Sequence, residues 1–464
     1  MRTVKRECNY YAFYDHTNIR KHLEAMAAKG WMLEKMGNTF WTYRRTEPGR
    51  VHFAVTYFPA ASDFDAAPGE DQQAFRDYCR EAGWQPVTSW HQILVFANEA
   101  EAPIPMETDA AVQLDTIHRA MKRNFLIAHT VLLALALFQL IRDVSDLWNH
   151  PTDSLANPAL PFVLFCWAMI TVLCVVEITA YLLWRRRALR AAEEEGRFTP
   201  TPSLRGFRRV CFALLLPSGA LWLLSLGTGL ALIGVGAILV VAAAQLVIAG
   251  IKGLMKRTGR SAAVNRAVTL IVGFLLTLAL FIGFDTWGAR LLRDPPGRET
   301  YTWQGDEYDV QPIPLPLTME DLTGQPYEHI SREQLETRTF FLARRTCRET
   351  VGLPQKQVSL YYEVTDILRP RLRDTVVRDR LENDDLVGYI GTHKLTLHRT
   401  WLPEEDPGAW GADAVYRRYL GKEQRPSSQF LLFYGDRLVE IELAQEPTNS
   451  QQALVGARLG RRTS

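Results

Sequence analysis

Apolar residues are concentrated in the middle of the chain, between residues 124 and 288, whereas both flanks have the mixed polar pattern of globular domains. A helix needs about 20 mainly apolar residues to cross the hydrocarbon core of a bilayer. Five segments approach that length: residues 125–141, 159–184, 210–226, 229–251 and 267–284. The pattern therefore predicts an α-helical transmembrane bundle of about five helices at 124–288, lying in the lipid bilayer between two soluble domains.

The third and fourth segments form one uncharged stretch at 210–251, which is too long for a single crossing. Gly227 and Gly229 lie within this stretch, and glycine suits a tight turn. We predict a helical hairpin at this point. One long tilted helix is the alternative, and it would put everything after residue 251 on the other side of the membrane.

Lysine and arginine in short loops indicate the orientation, because these residues are retained on the cytoplasmic side. Basic clusters lie at 119–123, 185–209 and 252–266, whereas the connection after the first helix carries Asp143 and Asp146. These positions predict a multi-pass protein of the cell membrane with a cytoplasmic N-terminus and, after five crossings, an extracytoplasmic C-terminus. The arginines within 185–209 can alternatively bind anionic lipid head groups.

Residues 1–100 are predicted to form an α+β domain. We expect this domain to stay in the cytoplasm, because residues 1–14 contain no apolar run of the 7–15 residues or so that a secretory signal needs. Residues 15–29 have an amphipathic helical pattern, with Asp15 or Thr17 as the N-cap. Strand patterns follow at 31–36, 39–45 and 51–57. Residues 101–123 are expected to link this domain to the first membrane helix.

A similar unit recurs further along the chain, where Phe75, Tyr78, Cys79 and Ala82 line a helix that precedes a strand at 93–96. The pairs Gly30-Trp31 and Gly83-Trp84 occupy matching places in the two units. Each glycine can take the left-handed conformation that ends a helix, and each tryptophan can begin a strand that packs back on it. We expect two helices over one mainly antiparallel sheet, in a ferredoxin-like or related arrangement.

The first hundred residues resemble a known family. The residues that carry the resemblance are the run 23–31, Phe40 to Tyr43 before Glu47-Pro48, Ala82-Gly83-Trp84 and Val95-Phe96. They are similar to the DUF2812 family, a domain of unknown function found mainly in Gram-positive bacteria. The resemblance implies no established activity. Family members are often encoded near PadR-like transcription regulators, which implies a link to regulation.

The motif residues Gly30, Trp31, Phe40, Tyr43, Gly83 and Trp84 have two interpretations. The aromatic side chains can line a ligand or peptide pocket, or they can be structural residues of a small domain. General burial statistics favour the structural role.

Residues 289–316 are rich in Pro, Gly and charge and are expected to link the last membrane helix to a C-terminal α+β domain at 317–464. Strands are predicted at 301–303, 358–364, 386–390, 395–400, 430–434 and 437–443. Gly435-Asp436 is typical of a β-hairpin turn. Helices are predicted at 411–420 and 449–459. Cys347 is the only cysteine behind the membrane region, so a disulfide framework is excluded for this domain.

Glu177 lies within the second apolar segment and His129 within the first, at comparable depth from the same side. A carboxylate near the bilayer centre costs about 2.5–3.5 kcal/mol or more, which makes it a functional candidate. The two side chains can form an intramembrane polar pair with a proton-coupled or ion-coupled role. Alternatively, Glu177 lies near the interface and pairs with an arginine or with His129 to hold the bundle together.

Motifs for common chemistry are missing from the sequence: there is no P-loop, no GxSxG, no HExxH and no dinucleotide-binding glycine pattern. His16 and His22 do not share a helix face, and His393 and His398 would point to opposite faces of a strand. We therefore expect no catalytic residues, no metal and no cofactor. The net charge of +2 gives no indication of a nucleic-acid partner.

Three functions remain open. The first is a non-catalytic membrane regulator or sensor that couples an extracytoplasmic domain to a cytoplasmic domain and its protein partner. The second is an accessory subunit of a transport or export system, because of Glu177 and His129. The third is a membrane-bound enzyme, which would need a pocket of polar side chains with perturbed ionisation. The oligomeric state does not follow from the sequence.

Overall fold

The computed structural model describes residues 3–37, 40–62, 64–65, 67–225, 227–259, 261–293, 300–303, 306–309, 313–327, 330–352, 357–382, 386–390, 393–397, 399–421 and 423–461. The chain divides into two compact units. The first unit comprises Met1–Leu140 and Phe162–Ala289, and the second comprises Ile141–Pro161 and Arg290–Ser464. The second unit therefore includes a short connection from the middle of the chain as well as the C-terminal domain.

The N-terminal part of the first unit is an α+β domain, as predicted. Its elements are β1 (Val4–Cys8), α1 (His16–Ala27), β2 (Trp31–Lys35), β3 (Phe40–Arg45), β4 (His52–Tyr57), α2 (Glu70–Glu81), β5 (Gln85–Trp90), β6 (Ile93–Asn98) and α3 (Ala110–Met121). The predicted first helix and the three strands after it are confirmed, with ends that differ by one or two residues.

The order strand-helix-strand-strand occurs twice in this domain. The first copy forms an antiparallel sheet of order β1-β3-β2, and the second copy forms one of order β4-β6-β5. The bulge between Leu33 and Lys35 in β2 has a counterpart between Pro86 and Thr88 in β5. We call this part of the chain the repeat domain. Because it contains two three-stranded sheets, the expected ferredoxin-like arrangement over one sheet is not confirmed.

Glycines end the helix of each copy. Gly30 has φ of 75° and Gly83 has φ of 85°, a left-handed conformation that side chains disfavour. A Cβ at Gly30 would lie 2.7 Å from the carbonyl oxygen of Thr46, so the chain also approaches too closely there for any other residue. The paired glycines therefore direct β2 and β5 back along their helices.

The core of the repeat domain is continuous with the segment that was predicted as a linker at 101–123. Within that segment, α3 buries Leu114, Ile117 and Met121 against the same core as Leu23 of α1. On α2, Cys79 is buried but Tyr78 is 69% exposed, so Tyr78 does not line the packed face as predicted.

Among the described residues, a series of helices follows the repeat domain. A π-helical turn, Lys122–Leu126, connects α3 to α4 (Ile127–Asn149), and then come α5 (Pro151–Ala156), α6 (Leu160–Glu195), α7 (Arg205–Ser225), α8 (Gly227–Arg257) and α9 (Ala262–Arg293). Among the described residues, four helical segments are long and apolar enough to cross a membrane: Ala110–Asn149, Leu160–Glu195, Gly234–Arg257 and Ala262–Leu280. The segment predicted as the third crossing forms α7, which contains Pro217 and is not one of these four.

The chain reverses between α7 and α8. A Cβ built on Gly234 would lie 2.6 Å from Cδ2 of Leu223. If α7 and α8 were one continuous helix, the 11 residues between these positions would place them about 16 Å apart. Neighbouring helices pack in the same way, because Gly219 of α7 lies against Phe162 of α6 and Gly273 of α9 lies against Ile248 of α8. The long helices therefore pack side by side through glycine positions.

The second unit contains a seven-stranded antiparallel sheet of order β14-β15-β16-β17-β11-β10-β9. The elements of its C-terminal part are β7 (Thr300–Trp303), β8 (Asp306–Asp309), α10 (Met319–Thr323), β9 (Ile330–Arg338), β10 (Leu342–Val351), β11 (Val358–Ile367), α11 (Arg373–Glu382), β12 (Leu386–Ile390), β13 (His393–Leu397), β14 (Arg399–Pro403), β15 (Ala414–Leu420), β16 (Arg425–Tyr434), β17 (Arg437–Glu442) and α12 (Asn449–Leu459).

The two faces of the large sheet have separate cores. On one face, Tyr362 and Ile441 pack with Val455 of α12. On the other face, Leu342 packs with Val376 of α11 and with Ala156 of α5. The connection between α4 and α6 is therefore an integral part of this domain.

Most predictions for the C-terminal domain are confirmed. Tyr434 pairs with Arg437 across the predicted hairpin turn, and the last helix has the predicted bounds. The predicted helix at 411–420 is wrong, because Ala414–Leu420 is β15, which pairs with β14 on one side and β16 on the other. His398 lies outside the described residues.

Candidate functional site

Two buried polar clusters connect the repeat domain to the long helices of the first unit. One cluster contains charged groups, and the other is held by hydrogen bonds. We call the two clusters together the joint, and its members are His129, Glu177, Arg208, Asp15, Asn18 and Thr201.

The charged cluster is centred on Glu177 of α6, whose side chain is fully buried. Its Oε2 atom lies 2.9 Å from Nε2 of His129 on α4, and its Oε1 atom lies 2.7 Å from Nε of Arg208 on α7. The structure therefore brings together Glu177 and His129, the two residues that were singled out as a possible pair. It adds Arg208, which the sequence analysis treated only as part of a basic loop.

Both ring nitrogens of His129 face hydrogen-bond acceptors. Nδ1 lies 2.9 Å from the carbonyl oxygen of Phe125, and Nε2 faces the Glu177 carboxylate. Arg208 in turn donates from Nη1 to the carbonyl oxygen of Tyr11, in the loop that precedes α1. One carboxylate thus binds two basic side chains, and one of these binds the repeat domain.

The hydrogen-bonded cluster is centred on Asp15, which is fully buried at the start of α1. Its Oδ1 atom accepts from Nδ2 of Asn18 at 2.5 Å and from Oγ1 of Thr201 at 2.7 Å. Asn18 also donates to the carbonyl oxygen of Thr201 at 3.0 Å. Thr201 lies in the connection between α6 and α7, so this cluster fastens that connection to α1.

Burial determines the ionisation of the groups at the start of α1. Burial raises the pKa of Asp15 to about 6, although the hydrogen bonds from Asn18 and Thr201 act in the opposite direction. Burial also lowers the pKa of the neighbouring His16 to about 4. The surroundings therefore disfavour the charged form of both side chains.

Asp15, one of the two predicted N-cap residues, is the N-cap of α1, and its carbonyl oxygen accepts from the Ile19 amide at 3.0 Å. Its side chain, however, makes no capping hydrogen bond to the helix; Oδ1 accepts from the Thr201 hydroxyl and the Asn18 amide instead. The interaction joins positions 186 residues apart in sequence. No local signal could have revealed it.

Aromatic rings enclose the joint. Tyr14 contacts Tyr181 and Trp184 of α6, with ring centroids 5.3 Å and 6.1 Å away, and Phe125 packs on the same group. The indole nitrogen of Trp184 donates to the carbonyl oxygen of Thr199 at 3.1 Å. These contacts keep water away from the Asp15 and Glu177 carboxylates and so strengthen their polar interactions.

Further contacts tie the repeat domain to the same connections. Arg205 at the start of α7 donates to the Tyr11 hydroxyl at 2.8 Å and to Glu7 at 3.0 Å. Asn265 at the start of α9 donates to the carbonyl oxygen of Phe64 at 3.0 Å. Lys252 of α8 also lies over the Phe64 ring, 5.3 Å from its centre. The connections α6–α7 and α8–α9 both bind the repeat domain.

The six family-motif residues do not form one site. Tyr43 and Trp84 are buried in the cores of different sheets, whereas Phe40 is 53% exposed. The ring of Trp31 lies under the Arg45 guanidinium, 5.1 Å from it. Gly30 and Gly83 end the two helices, as described above. None of the six belongs to the joint.

A cavity of about 520 Å³ opens beside the joint, between α1, β4 and the segment before α3. Polar groups in its lining include Arg20, Lys21, Glu24, His52 and Glu107. Glu107 accepts a hydrogen bond from the Thr56 hydroxyl, and burial raises the pKa of its carboxyl group. In the part of the chain that the structure describes, no group of three His, Cys, Asp or Glu side chains is placed to hold a metal ion.

Comparison with known proteins gives one match. The family model described as "Protein of unknown function (DUF2812)" matches residues 15–130, from the start of α1 into α4. No curated protein and no solved structure matches the chain. The matched region includes Asp15, Asn18 and His129 of the joint and confirms the resemblance seen in the sequence. The N-terminal part of this chain, residues 15–130, belongs to the DUF2812 family.

Proposed function

We propose that this chain is a non-catalytic membrane regulator or sensor that couples an extracytoplasmic domain to the cytoplasmic repeat domain. The observation that carries the proposal is the joint. It binds the repeat domain to α4, α6 and α7 through buried polar groups, so that a movement of these helices reaches the domain.

The proposal requires five crossings, and the contacts within each unit support that number. The connection between α4 and α6 is built into the second unit: the Thr152 amide donates to Asp379 at 3.0 Å, and Asp153 pairs with Arg344 at 2.9 Å. The connections α6–α7 and α8–α9 bind the repeat domain instead. A chain that satisfies both sets of contacts crosses with α4, α6, α7, α8 and α9 in turn.

The direction of these crossings follows from charge. The connections that bind the repeat domain are the basic ones, with Arg205 and Arg208 in the first and Lys252 and Arg266 flanking the second. Basic loops are retained in the cytoplasm. The repeat domain is then cytoplasmic and the C-terminal domain is extracytoplasmic, and any partner of the repeat domain is a cytoplasmic protein.

A route for coupling follows from the position of His129 and Glu177. The helices α4 and α6 share one connection, which is part of the second unit. His129 lies near the other end of α4, and Glu177 lies near the middle of α6. A shift of that connection displaces α4 against α6 and changes the distance between the imidazole and the carboxylate. Buried charges tolerate such a change poorly, because separation leaves them unpaired.

Hydrogen exchange of the full-length protein in lipid nanodiscs tests the proposal. D153K removes the ion pairs of Asp153 with Arg344 and Arg380 in the second unit. We expect faster exchange at the start of α1 and around Thr201. E423K makes the same charge change at an exposed position and serves as the control. In an R208Q background, D153K should no longer affect α1. Unchanged exchange at α1 in D153K would refute the coupling.

A second candidate is an accessory subunit of a transport or export system. The buried Glu177–His129 pair favours it, because such pairs can relay protons across a membrane. E177Q should then impair flux or its dependence on a proton gradient in vesicles, while D153K should not. The regulator predicts the opposite pattern, since its charged cluster transmits a movement and carries no proton flux.

A further inference from the structure

An arginine-rich cleft of about 330 Å³ lies in the second unit, beside the C-terminal end of α12. Its lining includes Arg338, Arg345, Arg437, Arg458 and Arg461. Only two carboxylates line it, those of Glu336 and Asp366. Arg344 also lines the cleft, but Glu363 and Asp153, which are not part of the lining, engage its guanidinium.

Three of the five arginines are fixed in place by acidic partners. Arg437 makes two hydrogen bonds to Asp366, at 2.8 Å and 2.9 Å, and donates to the carbonyl oxygens of Leu459 and Arg461 at the end of α12. Arg345 lies 3.3 Å from Glu336, and Arg458 lies 3.1 Å from Asp321. The Arg437 contacts also neutralise the negative end of the helix, which would otherwise repel an anion.

The other two arginines have no such partner. Neither Arg338 nor Arg461 has a carboxylate within ion-pair distance in the described residues. Both are on the exposed surface at the cleft, where their side chains can turn towards a ligand. The cleft therefore has more positive than negative charge and two guanidinium groups available for binding.

We propose that this cleft binds a phosphate-bearing anion. The guanidinium fork matches the geometry of phosphate oxygens and binds them through paired hydrogen bonds. Arg345 and Arg437 form the fixed floor of the site, and Arg338 and Arg461 close on the ligand from the rim. The inference goes beyond the proposed function and does not depend on it, because binding can be measured without any signal. Two sources share this chemistry: a free phosphate compound and the head group of an anionic lipid.

Calorimetric titration of the purified full-length protein with pyrophosphate, in an uncharged detergent, tests the free source. Nanodiscs of phosphatidylglycerol and of phosphatidylcholine, compared for their effect on thermal unfolding, test the lipid source. If the ligand is a free phosphate compound, R338Q/R461Q should weaken pyrophosphate binding at least tenfold. If it is a lipid head group, R338Q/R461Q should abolish the specific stabilisation by phosphatidylglycerol. R378Q changes an equally exposed arginine on α11, outside the cleft, and should bind as the wild type does.

The outcomes separate the two sources. Pyrophosphate binding that R338Q/R461Q weakens and R378Q preserves supports a free phosphate ligand. Stabilisation by phosphatidylglycerol alone, lost in R338Q/R461Q, supports a lipid head group. The proposal is overturned if the wild type shows neither pyrophosphate binding nor specific stabilisation by phosphatidylglycerol. It is also overturned if R378Q reduces the observed binding or stabilisation as much as R338Q/R461Q does. Both arginines of the double variant are exposed, so unaltered thermal unfolding in phosphatidylcholine confirms that it folds.

Discussion

Replacement of Arg208 by glutamine removes one of the two basic side chains that contact Glu177. The carboxylate is fully buried and its Oε1 atom lies 2.7 Å from the arginine, so R208Q leaves the charge with His129 alone. Loss of one partner of a buried ion pair costs about 3–5 kcal/mol. The Arg208 side chain is 21% exposed, which places the expected loss of unfolding free energy at the lower end, about 3 kcal/mol.

The partner variant E177Q removes the buried negative charge and keeps the shape of the side chain. The glutamine amide keeps one accepting oxygen, so only one of Arg208 and His129 loses its acceptor, and both are partly exposed so that water can reach them. We expect a loss of about 1–2 kcal/mol. In E177Q/R208Q the buried carboxylate and its arginine partner are both absent, so the double variant should be more stable than the sum of the single losses predicts, by about 2 kcal/mol.

The assay is reversible unfolding of the purified protein by SDS in mixed micelles, followed by circular dichroism. R209Q is the matched control, because Arg209 follows Arg208 on α7 but lies over the Tyr10 ring, and it should change stability by less than about 0.5 kcal/mol. A coupling energy between Glu177 and Arg208 below about 0.5 kcal/mol would refute the argument that a buried ion pair holds the joint together.

Two further predictions concern Asp15 and Gly456. Burial raises the pKa of Asp15 from 3.8 to about 6, so the folded protein holds this proton more tightly than the unfolded chain does. Its contribution to stability is complete below about pH 4 and is lost as the pH rises through 6, a change of about 3 kcal/mol. D15N should remove that change from the pH dependence of the unfolding free energy. His16 contributes in the opposite direction, but it does so equally in the wild type and in D15N. Identical pH profiles for the two proteins would contradict the burial of a titrating Asp15. At Gly456, a Cβ would clash with the carbonyl oxygen of Trp410. Helix propensity alone predicts that G456A stabilises α12 by about 1 kcal/mol. The clash with Trp410 predicts instead that G456A lowers the melting temperature. A higher melting temperature would show that α12 does not pack on Trp410.

Local patterns predicted much of the fold. The amphipathic period of α1 and the turn at Gly435-Asp436 depend on neighbouring residues, and both are confirmed. The helix predicted at 411–420 failed because Val415 and Tyr419 are four residues apart, a spacing that also suits a helix. Pairing with β14 and β16 determines the outcome, and those partners are distant in sequence.

The joint was predicted in part, for a similar reason. Glu177 was found because a carboxylate within an apolar helix is costly and conspicuous, and His129 because it lies at a matching depth. Arg208 was hidden among other arginines that serve orientation. The contact of Asp15 with Thr201 had no signal, because each residue is ordinary in its own segment.

Labelling of cysteines in intact cells tests the central claim most directly, that the repeat domain and the C-terminal domain lie on opposite sides of the membrane. In a background with C8S, the exposed positions Tyr78 and Glu423 are changed separately to cysteine. We predict that a membrane-impermeant maleimide labels E423C before lysis and Y78C only after the cells are permeabilised. Equal accessibility of the two positions in intact cells would mean an even number of crossings and would contradict the account.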